Sequence, residues 1–119
     1  MQAINLESKF ALFSNHWSPR ILAQVNDFYV KAAKVQGEFV WHAHPDTDEL
    51  FMPVKGSVVI QFRDREVLLN PGEMLVVPKG VEHRPVADEE CELVVFVRAG
   101  TVNTGTVGGE LTVTSEPWI

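Results

Sequence analysis

Trp41-His42-Ala43-His44-Pro45-Asp46-Thr47-Asp48-Glu49 is the stretch on which the fold of this chain turns. Along an extended strand successive side chains point to opposite faces, so His42 and His44 point the same way, roughly 7 Å apart along the backbone. Two imidazoles then face one interior point. Pro45 cannot donate to a sheet ladder, and the acidic, turn-forming Asp46-Thr47-Asp48 swings the chain around before Leu50-Phe51-Met52 resumes an extended path. Glu49 opens that return strand and brings a carboxylate toward the imidazoles. Nitrogen donors of borderline softness beside a hard oxygen suit a divalent first-row metal. Two surface histidines followed by a solvated acidic loop are the plain alternative, and the rest of the chain has to decide between them.

With 119 residues the chain has the size of one domain with a real core. Its 45% hydrophobic and 22% charged residues place it among soluble globular proteins. A formal charge of -6, with the Lys and Arg residues scattered, argues against a nucleic-acid partner, which requires clustered cations. Met1–Glu7 lacks the positive start and apolar run of an export signal, and no apolar run approaches the roughly 20 residues that cross a bilayer. The expectation is a cytoplasmic protein without a membrane partner. Cys91 is the only cysteine, so no internal disulfide forms, and within Cys91-Glu92-Leu93-Val94-Val95-Phe96-Val97 it reads as a buried strand residue.

Residues 4–17 carry the only helical pattern, with Asn5 as cap and Leu6, Phe10 and Phe13 at steps of three and four. His16 at its end reads as a structural or surface histidine. From Ile21 the pattern turns to strands: Ile21–Val25 and Phe28–Val35 around Asn26-Asp27, although Lys31-Ala32-Ala33-Lys34 would also suit a helix. A strand Glu38–His44 puts Val40, His42 and His44 on one face and Phe39, Trp41 and Ala43 on the other. By the same alternation Glu38 shares the histidine face, which makes it a candidate for proton transfer or for supporting the ligands. Phe39 and Trp41 then need cover from the N-terminal segment or from a second copy of the chain, hence an expected homodimer. Further strands follow at Ser57–Phe62, Glu66–Leu69, Met74–Val77 and Glu90–Arg98. Asn70-Pro71-Gly72 fits a type II turn, Pro78-Lys79-Gly80 a type I turn, and Leu111–Thr114 an edge strand. Trp118 reads as packing onto the body or a partner. Regularly spaced short strands with Gly and Pro turns indicate an all-β sandwich or barrel.

His83 follows a strand and a tight turn, a path that returns a distant residue to the face of His42, His44 and Glu49. Three histidines and one glutamate would hold a metal at about 2.0–2.2 Å per donor and leave one or two positions open. Here the sequence resembles the cupin superfamily, in particular its small single-domain members. The first cupin motif reads as Gly37, His42-Ala43-His44, Glu49 and Gly56, and the second as Gly72, Pro78-Lys79-Gly80 and His83. Only four residues separate Gly37 from His42 where the family pattern usually has five, and Ala87 stands where the second motif often ends in Asn. Neither departure touches a ligand. Gly37-Glu38-Phe39-Val40-Trp41-His42, with Glu82-His83-Arg84-Pro85, is similar to short bacterial proteins often labelled cupin-domain or sugar-phosphate-isomerase-like.

The resemblance implies a double-stranded β-helix, a small jelly roll, with residues 1–119 as a single cupin domain. Its barrel core covers about 20–100, the N-terminal segment 1–19, and the C-terminal loop and edge strand 101–119. It also implies a divalent transition metal (Fe, Mn, Ni, Co, Cu or Zn) inside the barrel on His42, His44, Glu49 and His83. The fold hosts oxygenases, isomerases and lyases as well as sensory domains, so function has to come from the site. A metal-dependent enzyme acting on a small metabolite, a non-catalytic binding or sensing module, and a purely structural metal are the three readings. Arg84 and Lys79 at the barrel mouth would receive an anion or stand as solvated cations, and Phe51 shares the face of Glu49 as pocket lining or core.

Overall fold

Asn5 does cap a helix: in the computed structural model, which describes residues 1–119, its side-chain oxygen accepts the Ser8 amide at 2.9 Å and α1 runs over Leu6–Phe10. The helix is much shorter than the 4–17 pattern because the sheet captures the chain beyond it. The Trp17 amide donates to the Lys34 carbonyl at 2.9 Å, and His16 bridges Lys34 in parallel. Phe10 and Phe13 still share a side, packed with Leu22 and Ala32 in a small outer cluster.

The strands are β1 (Arg20–Val25), β2 (Phe28–Glu38), β3 (Glu49–Lys55), β4 (Val58–Phe62), β5 (Glu66–Leu69), β6 (Leu75–Val77) and β7 (His83–Arg98). All pairings between them are antiparallel, and together they form the jelly roll. Lys31-Ala32-Ala33-Lys34 is strand, with Ala33 and Val35 in the main core and Ala32 against α1. β7 is shared between the two layers. Its first residues pair with β4, from His83 opposite Phe62 to Val86 opposite Val59, and its second half runs between β2 and β3. His83 therefore lies inside a 16-residue strand that begins earlier than the expected Glu90.

Ile60 is fully buried at the centre of β4, opposite Pro85. Ile60→Ala is expected to lower stability by about 3 kcal/mol, from lost transfer energy plus the cavity left behind. A urea titration with unchanged m-value reads that loss directly.

Several local expectations change. The turn after β6 runs over Pro78–Val81, where the Val81 amide donates to the Pro78 carbonyl and Gly80 takes φ 79 at the third position. That is a type II turn one residue later than the type I turn expected. Asn70-Pro71-Gly72 keeps its type II form, with Gly72 at φ 86 and the Glu73 amide donating to Asn70 O at 2.9 Å.

Leu111–Thr114 is not an edge strand. The Asn103 amide side chain donates to Leu111 O and accepts the Val113 amide, both at 2.9 Å, and so takes the backbone groups that a sheet edge would use. Only Trp118 of this segment bridges the sheet, beside Ile21, with its ring edge-on to Tyr29.

The expected strand Glu38–His44 is also absent. β2 ends at Glu38, its pairing with β7 slips between Val35 and Gly37, and Gly37 takes φ 82, so simple alternation does not survive into the next residues. Phe39 turns inward and stacks on Trp17 at 4.7 Å, while Trp41 lies outside beneath the guanidinium of Arg63 at 3.9 Å. Phe39 thus takes its cover from Trp17 of the N-terminal segment, and Trp41 is partly covered by Arg63 and Arg84. No helix is long and apolar enough to cross a membrane.

Candidate metal centre

His42 and His83 lie 41 positions apart in the sequence but are backbone partners. Each amide donates to the other's carbonyl, at 3.0 and 2.9 Å, in an isolated antiparallel bridge. This bridge, in place of a regular strand, is what aims the first histidine inward. Both rings are then set by the same local device: Nδ1 of His42 donates to Val40 O, and Nδ1 of His83 to Val81 O, each at 2.9 Å. A carbonyl only accepts, so the proton resides on Nδ1 and Nε2 of each neutral ring turns a lone pair toward the interior.

The loop between the ligands is pinned rather than loose. The Gly80 amide donates to His44 O, the Lys79 amide to the Asp48 carboxylate, and the Arg98 amide to the Thr47 hydroxyl. Asp46-Thr47-Asp48 thereby locks the first motif onto the turn that precedes His83.

His42, His44, Glu49 and His83 are all buried, and their nearest ligand atoms lie within 4.8 Å of one another. Glu49 Oε1 stands 3.2 Å from Nε2 of both His44 and His83. Donors at about 2.1 Å from one ion sit roughly 3–4 Å from each other, so this spacing fits a shared cation with little adjustment. The His44 ring makes the case sharper: neither of its nitrogens has a hydrogen-bond partner, although both are buried, and its approach to Glu49 lacks hydrogen-bond geometry. A buried polar ring left without partners is costly. A positive ion among three imidazole lone pairs and a carboxylate would engage one donor of each group, including one of the two unpartnered His44 nitrogens, so the donor set fits a divalent metal.

Electrostatics agree. Burial, with a smaller contribution from the neighbouring His83, pushes His42 down from 6.5 to about 4 and keeps the ring neutral, able to offer a lone pair. That shift makes the metal-free protein acid-labile. Between pH 6.5 and about 4 the unfolded chain carries a proton on residue 42 that the folded chain lacks, so stability present above 6.5 drains away as pH falls. Melting curves of metal-free protein are expected to show a loss of about 3 kcal/mol from His42 across its window, with no such slope above pH 7.

The remaining candidates sort themselves by position. Glu38 does not share the histidine face: the slip at Gly37 leaves it 61% exposed, paired with Arg84 at 2.7 Å on the outer surface. Arg84 in turn donates to Gln61 and lies over Trp41, so it braces the outside of the barrel. Lys79 instead lines an open polar recess of about 580 Å³ together with His44, Asp46, Thr47 and Arg98. Phe51 is both core and lining, 5.8 Å from the His83 ring. His16 pairs with Glu90 at the surface, and Cys91 is fully buried, its thiol pushed up to about 12 by burial.

Inside the barrel a narrow cavity of about 60 Å³ reaches His42 and Glu49. Two residues missed by sequence reasoning border it, Lys31 and Glu116, joined by a 2.6 Å ion pair. Period-two spacing with Ala33 and Val35 was the available signal for Lys31.

Residues 29–99 match the family model described as Cupin domain. A cupin-2 domain containing protein from Shewanella frigidimarina is 53% identical and superposes with a TM-score of 0.78, over 79% of this chain and 92% of that one. Protein NMB1881 from Neisseria meningitidis is 32% identical with a TM-score of 0.76, over 82% of this chain and all of its own. Among curated proteins, the uncharacterized protein YdbB of Bacillus subtilis is 44% identical over 64 residues, which is 53% of this chain and 57% of YdbB. The match thus spans little more than half the length of that relative.

Proposed function

The chain belongs to the cupin domain family, and from that membership we propose that it holds a divalent transition metal on His42, His44, Glu49 and His83 and acts there on a small metabolite. The observation that carries this is the convergence of four buried donors around one point, with the His44 ring lacking any other partner. A metal so held polarises a carbonyl, activates dioxygen or lowers the pKa of bound water, which suits oxygenase, isomerase or lyase chemistry.

The chain's own residues supply the rest of the site. Backbone carbonyls of Val40 and Val81 fix two ligand tautomers. Phe39, Phe51 and Leu93 give the cavity apolar walls that keep bulk water from the interior, and the open recess lies beside His44.

One observation favours a second reading, a module that binds or senses a metabolite without turnover. Glu38, the acid singled out for proton transfer, is outside the barrel, and the carboxylate inside it, Glu116, is already engaged by Lys31.

Elemental analysis after loading with each first-row metal, followed by oxygen-uptake and isomerase substrate screens beside His44→Ala, separates the two. Turnover lost in a folded His44→Ala protein supports the enzyme. Metabolite binding without turnover supports the module. A wild-type protein that retains no metal under any loading condition sinks the enzyme.

A further inference from the structure

We propose that Lys31 is the docking point for the carboxylate of a small organic acid, and that Glu116 of the C-terminal segment occupies that point until such an acid displaces it. The proposal names a ligand class for the site and so rests on the cavity being where a metabolite meets the metal.

Lys31 is 3% exposed, and its neighbours at period two, Ala33 and Val35, line the same cavity. In sheet terms it sits opposite Val95, which sits opposite Phe51, so Lys31 is two strands, or roughly 10 Å of backbone, from the strand that carries Glu49. The Lys31 side chain lines the same cavity as His42 and Glu49, and its ammonium meets Glu116 Oε1 there at 2.6 Å. Lys34, three residues on, shows the contrast: it points outward, donates to Phe13 O and braces the N-terminal segment.

As a fastening the Lys31–Glu116 pair is poorly built. Burying two charges costs more than their attraction returns unless every remaining lone pair is satisfied. Here the second carboxylate oxygen, Glu116 Oε2, is buried without any partner. Nor does the segment need this anchor. The Ile21 amide donates to Pro117 O at 2.8 Å, the Ile119 amide donates to Ile21 O at 3.1 Å, and Trp118 meets Tyr29 edge-on. The carboxylate is therefore in the position a ligand's carboxylate would take, held by a residue that can be exchanged without undoing the tail's own attachments.

The cavity sets the size of the incoming acid. About 60 Å³ is room for roughly two waters. Withdrawing Glu116 adds the volume of its own carboxyl end, which admits a short acid of a few carbons. Thr101 on the loop beyond β7 offers a further polar contact, and half of the lining residues are apolar.

Calorimetric titration of full-length, metal-free protein with propionate tests the proposal. Glu116→Gln frees the ammonium with a neutral isostere and is expected to bind propionate at least about tenfold more tightly than wild type. Lys31→Met/Glu116→Gln, which removes both charges, is expected to lose that binding. Equal affinity in Glu116→Gln and wild type, or undiminished binding in the double variant, overturns the proposal.

Should Glu116→Gln not fold, NMR titration of wild-type protein gives the second readout. Propionate must shift the side-chain resonances of Lys31 and Glu116 saturably as one carboxylate replaces the other, and unresponsive resonances overturn the proposal. Co2+ binding, followed separately in each variant, keeps the two readings apart. Its loss in wild type would overturn the metal centre, while the propionate result alone decides Lys31.

Discussion

Saturating a fitting divalent metal is expected to raise the melting temperature by some 15 °C, and His44→Ala to abolish the rise. At a thousandfold excess over Kd, a ligand that binds only the folded state adds about 4 kcal/mol. For a domain of this size each kcal/mol moves the midpoint by about 4 °C. His44 is the right residue to remove because it makes no hydrogen bond through its ring. Its loss leaves the His42–His83 bridge and the Nδ1 contacts in place, so the metal-free variant should fold and melt near wild type. Affinity itself should drop on the order of a hundredfold or more, at or beyond the upper end of what removing a ligand's supporting partner costs. Differential scanning fluorimetry with and without metal, beside a chelator competition, measures both. A full thermal shift in His44→Ala would show that the metal, if bound, sits elsewhere.

The second large effect comes from a residue with no side chain. Gly105 has φ 62, and a Cβ placed on it would collide with the carbonyl oxygen of Ala43, the residue between His42 and His44. Gly105→Ala therefore carries about 1–2 kcal/mol for the left-handed backbone and up to about 3 more for the overlap, which backbone atoms relieve poorly. Relief by moving Ala43 would swing the flanking ligands, so metal affinity is expected to fall together with stability. The control is Gly108→Ala, also at positive φ (73) but with open space around it, where only the smaller backbone cost applies. A Gly105→Ala protein with wild-type stability and metal affinity would show that this loop does not press on the ligand segment.

Much of the site was legible because ligand chemistry depends on residue type. His42, His44, Glu49 and His83 are where the motifs place them, and the turns at Gly56, Gly72 and Gly80 carry the positive φ that only glycine takes freely. The alternation argument reached the right facing for the histidines by the wrong route. His42 is aimed by a single bridge to His83, and the slip at Gly37 sends Phe39 inward and Glu38 outward, against their parity. A bulge of this kind depends on the partner strand, which a local pattern does not contain.

Edge formation at Leu111–Thr114 failed for a related reason: the competitor was the side chain of Asn103, eight residues upstream of Leu111. Lys31 was obscured by its own neighbours, since Lys-Ala-Ala-Lys reads equally as a helix, and nothing local announces that Glu116 will meet it.

The long β7 has a mechanical corollary. It carries His83 near one end and, at the other, lies against the strand of Glu49 with Val97 opposite that carboxylate. Between them the strand bulges, its pairing with β2 slipping from Cys91 to Ala87, so the break in the long strand falls midway between the two groups. A guest molecule is expected to enter at the rim, where residues 99–102 with Gly105 and Thr106 border the outer recess.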